Sequence, residues 1–147
     1  MPDAATEIAV SRTFQAPRDL VFQAWTDPDQ VQQWWGPEHF TVPRESVNID
    51  LKPGGRYDLT MRDPQGNEYP VRQQLTEVDQ PSLLVLIHEP MPEHGLTEPI
   101  HTRVEFHAEG TQTRVEITSG PYNEEMAPNA SMGWEQQFGK LERILAA

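Results

Sequence analysis

The segment 27–37 combines a helix start, a pair of tryptophans and a helix stop within eleven residues. Asp27 suits the N-cap position, and Pro28 suits the first helical turn. The Gly-Pro pair after the tryptophans ends the helix. Trp34 and Trp35 are adjacent, so they cannot both lie on the centre of one narrow apolar stripe. We therefore expect at least one of them to reach a second surface, either a core wall or the mouth of a cavity.

Charge and composition exclude several classes of function. The chain carries 23 acidic and 11 basic side chains, a formal net charge of −12, and no cysteine. Nucleic acid is not an expected partner, because phosphate recognition needs a basic surface. The sequence has neither an apolar run of roughly 18 residues nor a signal peptide, so we expect no membrane partner and a cytoplasmic location. At 147 residues, the chain is expected to form one domain over 1–147.

The hydrophobic pattern before residue 45 predicts a strand and two short helices. Residues 7–15 alternate between apolar and polar positions, with Arg12 interrupting the apolar face. A short helix is expected after Pro17, and the segment 27–37 supplies the second. The apolar residues at helical spacing in the first helix are Leu20, Val21, Ala24 and Trp25.

From about 45 to 119 the pattern changes to short strands divided by turn residues. Residues 63–67 have the composition of a hairpin turn. Pro70 indicates a sheet edge or a bulge near the start of its strand. Consecutive strands with tight turns predict an antiparallel meander. The expected strands are 47–51, 56–62, 68–78, 83–88, one around 103–107, and 113–118, where Ser119-Gly120 looks like a strand end.

The last segment, 132–147, predicts one long helix after a break at Pro128-Asn129. Its apolar stripe contains Trp134, Phe138, Leu141 and Leu145. We expect this stripe to pack on the concave side of the sheet. The polar residues Gln136, Gln137, Lys140, Glu142 and Arg143 are expected to lie largely on other faces.

This order of elements is that of the helix-grip fold, and four sequence motifs resemble one superfamily. The motifs are Ala24-Trp25-Thr26-Asp27-Pro28, Trp34-Trp35-Gly36-Pro37, Lys52-Pro53-Gly54-Gly55-Arg56-Tyr57, and Gly133-Trp134-Glu135 with Leu141-Glu142. They resemble the START/Bet v 1-like (SRPBCC) superfamily over residues 8–146. Within it, they are similar to the family named for the activator of the ninety-kilodalton heat-shock protein's ATPase, in its single-domain bacterial type.

The resemblance implies an α+β helix-grip fold. A curved antiparallel sheet of about six strands would wrap around the long carboxy-terminal helix, with two short helices after the first strand. Relatives in the superfamily include lipid- and steroid-transfer folds with an internal cavity. The family shares no set of catalytic residues that could be assigned to positions of this sequence. A chaperone partner is not expected either, because the separate amino-terminal domain of the eukaryotic activator has no counterpart in this sequence.

Eight residues are candidates for lining a cavity between the sheet and the long helix. For Trp134 and Phe138 we favour the alternative that they anchor the helix in the core. For Phe40 and Tyr57, near the expected mouth, core packing and ligand contact are equally supported, and the Tyr57 hydroxyl would suit a polar group of a ligand. The full set is Trp35, Phe40, Tyr57, Met61, Leu86, His88, Trp134 and Phe138.

His88 is the most informative of these candidates. It ends the most apolar strand, on the same face as Leu84 and Leu86. The resemblance implies a large aromatic residue here, so histidine adds a polar group to the expected cavity. The ring would orient a ligand carbonyl or act as a base. The alternative, which we favour, is a buried histidine satisfied by a backbone or hydroxyl partner.

The other histidines do not predict a metal site. His101 and His107 share a strand face with charged residues, opposite Val104 and Phe106, and this face is expected to be the solvated outer surface. His94 lies in a loop without a recognisable set of partner ligands. We therefore expect no metal and no cofactor, and the sequence contains no recognisable catalytic residues.

Three functions remain open at this stage. The first is a small binding protein that holds an apolar or aromatic molecule in the cavity. The second is a cyclase- or hydrolase-type enzyme that uses the same cavity with His88 as general base. The third is a protein-interaction domain that uses an exposed Trp34 or the acidic surface. The sequence also leaves open a homodimer formed through a sheet edge.

Overall fold

Seven antiparallel strands form one curved sheet. The computed structural model describes residues 6–92, 98–122 and 126–146. The strands are β1 (Thr6–Phe14), β2 (Asn48–Ile49), β3 (Arg56–Arg62), β4 (Glu68–Asp79), β5 (Leu83–His88), β6 (Ile100–Glu109) and β7 (Gln112–Tyr122). Their spatial order is β1-β7-β6-β5-β4-β3-β2, so β1 pairs with β7 and the rest form a meander. The predicted α+β helix-grip fold is confirmed.

Two helices follow the first strand, and a third follows the last strand. They are α1 (Arg18–Thr26), α2 (Pro28–Trp34) and α3 (Met126–Ala146), with a 3₁₀ turn at Arg44–Ser46. None of these described helices is both long and apolar enough to cross a membrane.

The start and end of α2 follow the sequence prediction. The Asp27 carboxylate accepts a hydrogen bond from the Asp29 N–H at 3.0 Å, which caps the free amino end of the helix. Gly36 has φ 95°, a conformation that favours glycine directly after the helix. In α1 the prediction is wrong for Leu20, which is 51 % exposed, whereas Phe22 is buried.

Pro70 lies where β4 has a partner on one side only. It pairs with Thr60 of β3, whereas β5 pairs with β4 only from Gln73 onward. This part of β4 is therefore locally an edge, where a missing N–H breaks no ladder. The irregularity in β4 lies further along, between Leu75 and Glu77.

Two predicted boundaries near the carboxyl end are wrong. β7 continues through Ser119-Gly120 to Tyr122. The helix α3 begins at Met126 instead of 132, with Pro128 as its third residue. A proline is tolerated there because the first N–H groups of a helix have no intrahelical acceptor.

The carboxyl half of α3 packs tightly on the sheet. Phe138 and Leu141 are fully buried, and the rings of Phe138 and Phe14 meet edge to face at 5.6 Å. Arg12, which interrupts the apolar face of β1, lies with its guanidinium 5.8 Å from the Phe138 ring centre. It also pairs with Glu135 of α3 at 3.1 Å. The arginine therefore joins β1 to α3 instead of leaving a gap in the core.

Candidate ligand-binding cavity

A cavity of about 270 Å³ lies between the inner face of the sheet and the amino half of α3, and it is open to solvent. The sheet contributes Met61, Val71, Gln73, His88, Ile100, Thr102 and Tyr122. Helix α3 contributes Asn129, Ala130, Gly133, Trp134 and Gln137, and the loop after α2 contributes Trp35 and Pro37. Its volume is slightly below the range of about 300–1,000 Å³ that is common for small-molecule sites.

Small residues on α3 leave this space open. Ala130 and Gly133 face the cavity where larger side chains would fill it. A Cβ atom added at Gly133 would meet only Pro37 Cγ, at 4.0 Å. Glycine within a helix costs about 1 kcal/mol relative to alanine. Glycine at position 133 therefore keeps the cavity open and lowers the stability of the helix.

Tryptophan side chains form one wall of the cavity. Trp35 and Trp134 meet edge to face with ring centres 5.6 Å apart, and both line the space. Behind them, Trp134 stacks on Trp25 at 5.7 Å with an interplanar angle of 21°. Trp34 is fully buried, and its indole N–H donates to the Ala24 carbonyl at 2.9 Å. The wall is thus backed by rigid aromatic packing.

Polar side chains of α3 hold the segment 35–40, which we call the rim loop. The Gly36 N–H donates to Gln137 Oε1 at 2.5 Å, and the Glu38 N–H donates to Gln136 Oε1 at 3.0 Å. Lys140 Nζ lies 3.1 to 3.4 Å from four rim-loop carbonyl oxygens, which share its three N–H donors. Burial lowers the pKa of Lys140. These contacts fix the rim against the helix.

The sequence prediction missed this role of α3. It placed Gln137 and Lys140 on faces away from the core, but Gln137 is only 6 % exposed. Hydrophobic periodicity detects apolar contacts and cannot detect a helix face that pairs with loop carbonyls. The available signal is the Gly-Pro loop itself, whose backbone groups need partners outside any helix or strand.

Three hydroxyl groups form a chain at the sheet side of the cavity. Thr102 Oγ1 lies 2.8 Å from Ser119 Oγ, which lies 3.1 Å from the Tyr122 hydroxyl. Thr102 and Tyr122 line the cavity. Burial raises the pKa of Tyr122, and the hydrogen bond with Ser119 opposes that rise. The chain therefore presents neutral hydroxyl groups to the cavity.

His88 lines the cavity with both ring nitrogens engaged. Nδ1 lies 2.7 Å from the Glu89 carbonyl oxygen, which only accepts, so Nδ1 carries the proton. Nε2 then accepts from the Arg72 N–H at 3.4 Å. Burial lowers the pKa of His88. This is the backbone-satisfied alternative to the general-base hypothesis.

Comparison with known proteins identifies the family. The family described as "Activator of Hsp90 ATPase homolog 1-like protein" matches residues 15–146. The chain belongs to this family. No curated protein sequence matches the chain.

Solved structures of similar proteins share the fold of this Hsp90-ATPase-activator-like chain. Protein CV1439 from Chromobacterium violaceum has a TM-score of 0.86 at 20 % identity, covering 96 % of this chain and 97 % of that one. Protein NE0264 from Nitrosomonas europaea has a TM-score of 0.82 at 21 % identity, covering 99 % and 97 %. The AHSA1 protein SPO3351 from Silicibacter pomeroyi has a TM-score of 0.81 at 23 % identity, covering 96 % and 98 %.

In this family member, four of the eight candidate residues line the cavity: Trp35, Met61, His88 and Trp134. The cavity also uses polar residues that were not predicted: Gln73, Thr102, Tyr122, Asn129 and Gln137. They lie on the inner faces of β4, β6, β7 and α3. A polar residue among apolar neighbours on an inward face is the sequence signal that would have found several of them.

The other four candidates lie outside the described lining. The Tyr57 hydroxyl donates to the Trp25 carbonyl at 2.5 Å, so it is not available to a ligand. Leu86 and Phe138 are buried in the core, as expected for the alternative in which Phe138 anchors the helix. Phe40 is half-buried and packs against Tyr69 with ring centres 5.8 Å apart.

The expected outer face of β6 is confirmed for His101, which is exposed. His107 lies 3.1 Å from Glu105 and 3.7 Å from Glu116, the one described group of potential metal ligands. Both carboxylates already pair with arginines, Glu105 with Arg103 and Glu116 with Arg114. The charge that would attract a cation is therefore already neutralised.

Two further expectations concern His94 and Trp34. His94 lies outside the described residues. The expectation that Trp34 is exposed for protein contacts is wrong, because it is fully buried between α1 and the aromatic wall. Of the adjacent pair, Trp34 is the core residue and Trp35 reaches the cavity.

Proposed function

We propose that the chain is a binding protein for a small, neutral, mainly apolar molecule held between the sheet and the amino half of α3. The observation that supports this is the composition of the cavity. Tryptophans form one wall, and no described lining residue is an aspartate, glutamate, lysine or arginine. His88, the imidazole in the lining, has a lowered pKa and is uncharged at neutral pH.

A neutral ligand suits this cavity because burial of an unpaired charge is costly. An anionic ligand would also meet the field of a chain with a net charge of −12. The driving force for a neutral ligand is burial of its apolar surface, worth about 25 cal/mol per Å². Stacking against Trp35 and Trp134 would add to it.

Two dyes with the same rings test the proposal. N-phenyl-1-naphthylamine is neutral, whereas 8-anilinonaphthalene-1-sulfonate carries a sulfonate on that ring system. We expect the neutral dye to bind with enhanced emission and to quench the tryptophan fluorescence. The sulfonate should bind about tenfold more weakly or worse. Equal affinity for the two dyes would contradict a neutral cavity.

Variants of the two glycines in the described part of α3 locate the bound dye. Gly133→Leu fills the cavity, because residue 133 lines it. Gly139→Ala is the matched control in the same helix, where an added Cβ meets only Arg12 Nη1, at 3.9 Å. We expect Gly133→Leu to abolish binding of the neutral dye and Gly139→Ala to keep it, with folding of both checked by circular dichroism. Unchanged binding in Gly133→Leu would place the dye elsewhere.

A further inference from the structure

The orientation of the Gln137 side-chain amide is fixed by its neighbour. The Gly36 backbone N–H can only donate, and it lies 2.5 Å from the Gln137 amide. The amide oxygen must therefore face the rim loop, and the NH₂ group must face away from it. The nitrogen, Nε2, is therefore the end of this amide that is left for another partner.

The NH₂ group of Gln137 has no hydrogen-bond partner among residues 6–92, 98–122 and 126–146. The residue is 6 % exposed and lines the cavity. Its nitrogen is nevertheless not sealed off, since Trp25 Nε1 is the one described side-chain polar atom that is both inaccessible and unpaired. The free donor therefore meets the cavity space. In the open cavity this donor faces water, and a ligand acceptor would replace that water with a direct hydrogen bond.

We infer that the ligand carries a carbonyl group and that Gln137 Nε2 donates to its oxygen. This inference rests on the proposed function and names the chemical class of the molecule: a neutral aromatic or alicyclic carbonyl compound. The same amide would join the ligand to the rim loop, because its oxygen holds Gly36 while its nitrogen holds the ligand. Hydrogen bonds in such a chain strengthen one another.

A matched pair of probes isolates the carbonyl. Methyl 2-naphthyl ketone and 2-ethylnaphthalene have nearly the same size and shape, and they differ by a carbonyl oxygen in place of two hydrogens. Their affinities are measured by displacement of N-phenyl-1-naphthylamine. Gln137→Met removes the donor while keeping the length of the side chain and a similar helix propensity.

Gln136→Met is the matched control. Gln136 also accepts a rim-loop N–H, from Glu38 at 3.0 Å, but it does not line the cavity. We expect the ketone to bind Gln137→Met roughly three- to tenfold more weakly than wild type, with the hydrocarbon changed less than about twofold. Gln136→Met removes a rim-loop contact but no cavity donor, so it should change the two affinities by the same factor. Equal losses of ketone and hydrocarbon affinity in Gln137→Met would overturn the inference. A selective loss of ketone affinity in Gln136→Met as large as that in Gln137→Met would also overturn it.

The carbonyl stretch of the bound ketone gives a direct readout. It is isolated as the infrared difference between ¹²C- and ¹³C-carbonyl ketone bound to the protein. We expect a lower frequency in wild type and Gln136→Met than in Gln137→Met, because hydrogen bonding weakens the C=O bond. A low frequency that persists in Gln137→Met and disappears in Tyr122→Phe would assign the donor to the hydroxyl chain instead.

Different results would overturn the carbonyl inference and the proposed function. Binding of the hydrocarbon and the ketone with no dependence on Gln137 would overturn the carbonyl inference and leave the proposed function standing. Failure of all neutral naphthalene probes to bind the wild type would overturn both.

Discussion

The two halves of α3 meet the same sheet in opposite ways. The carboxyl half presents Phe138 and Leu141, which are fully buried against β1 and its neighbours. The amino half presents Ala130 and Gly133, and about 270 Å³ stays open beneath it. One half therefore supplies core packing, and the other supplies volume.

The contrast shows that an open space beside a core needs its own support. Protein interiors pack densely, and the lining of a void loses contacts. At the amino half, the aromatic wall and the rim loop keep the two layers apart. That loop is attached to α3 by Gln137 and Lys140, which flank Phe138 in the carboxyl half and bind backbone groups of the loop instead of packing in the core. Stability and openness are thus assigned to different residues of one helix.

The largest expected effect lies at the packed half. Phe138→Ala should destabilise the fold by about 3–5 kcal/mol, because it removes a fully buried ring that contacts Phe14. Met61→Ala, at the edge of the cavity, should cost about 1–2 kcal/mol, since part of its side chain already faces open space. Urea unfolding measures both values. Equal costs would show that the two halves are packed alike.

The next effect concerns the attachment of the rim loop. Lys140→Met removes the ammonium group that donates to the rim-loop carbonyls, and we expect a loss of about 1.5–3 kcal/mol in stability. Lys52→Met is the control, because Lys52 is exposed and makes a surface pair with Asp50 at 3.5 Å. Its expected cost is below about 0.5 kcal/mol. A small loss for Lys140→Met would mean that water replaces the ammonium without penalty.

Sequence reasoning recovers the core stripe of α3 better than the contacts of α3 with the rim loop. Phe138 and Leu141 follow a helical period, which identifies a core stripe directly. Gln137 and Lys140 lie outside that stripe, and their partners are backbone groups of a loop more than 100 residues away in sequence. The sequence pattern misses the start of α3 because a proline such as Pro128 usually indicates a helix break, although the first turn of a helix tolerates it. Hydrophobic periodicity carries no information on hydrogen bonds between a helix side chain and the backbone of a distant loop.

The two glycines of α3 separate volume from helix stability. Gly133→Ala and Gly139→Ala should each raise stability by about 0.4–1 kcal/mol, because neither added Cβ meets an atom closer than 3.9 Å. Only Gly133→Ala should weaken binding of N-phenyl-1-naphthylamine, since its methyl group enters the cavity. Thermal unfolding and dye titration on both variants give the comparison. Weaker binding in both would indicate an indirect effect of stiffening the helix.

The smallest expected effect is a pH dependence at the open half. Burial lowers the pKa of His88, and this outweighs the hydrogen bond with the Glu89 carbonyl and the nearby carboxylates of Glu89 and Asp58, which all favour the charged ring. The unfolded chain then binds a proton at a higher pH, near 6.5, than the folded chain does. The stability that neutral His88 contributes is therefore fully present above about pH 6.5, and it is lost as the pH falls through the folded pKa.

His88→Gln removes this titration while keeping a polar side chain in the cavity. We expect the variant to lose less stability than wild type between pH 7 and pH 5, as measured by urea unfolding at each pH. The carboxylates elsewhere in the chain titrate in both proteins, so they cancel in the difference. A variant that loses as much stability as wild type would mean that the ring takes up its proton as readily in the folded chain. The cavity would then carry a positive charge at mildly acidic pH, and the argument for a neutral ligand would apply only at higher pH.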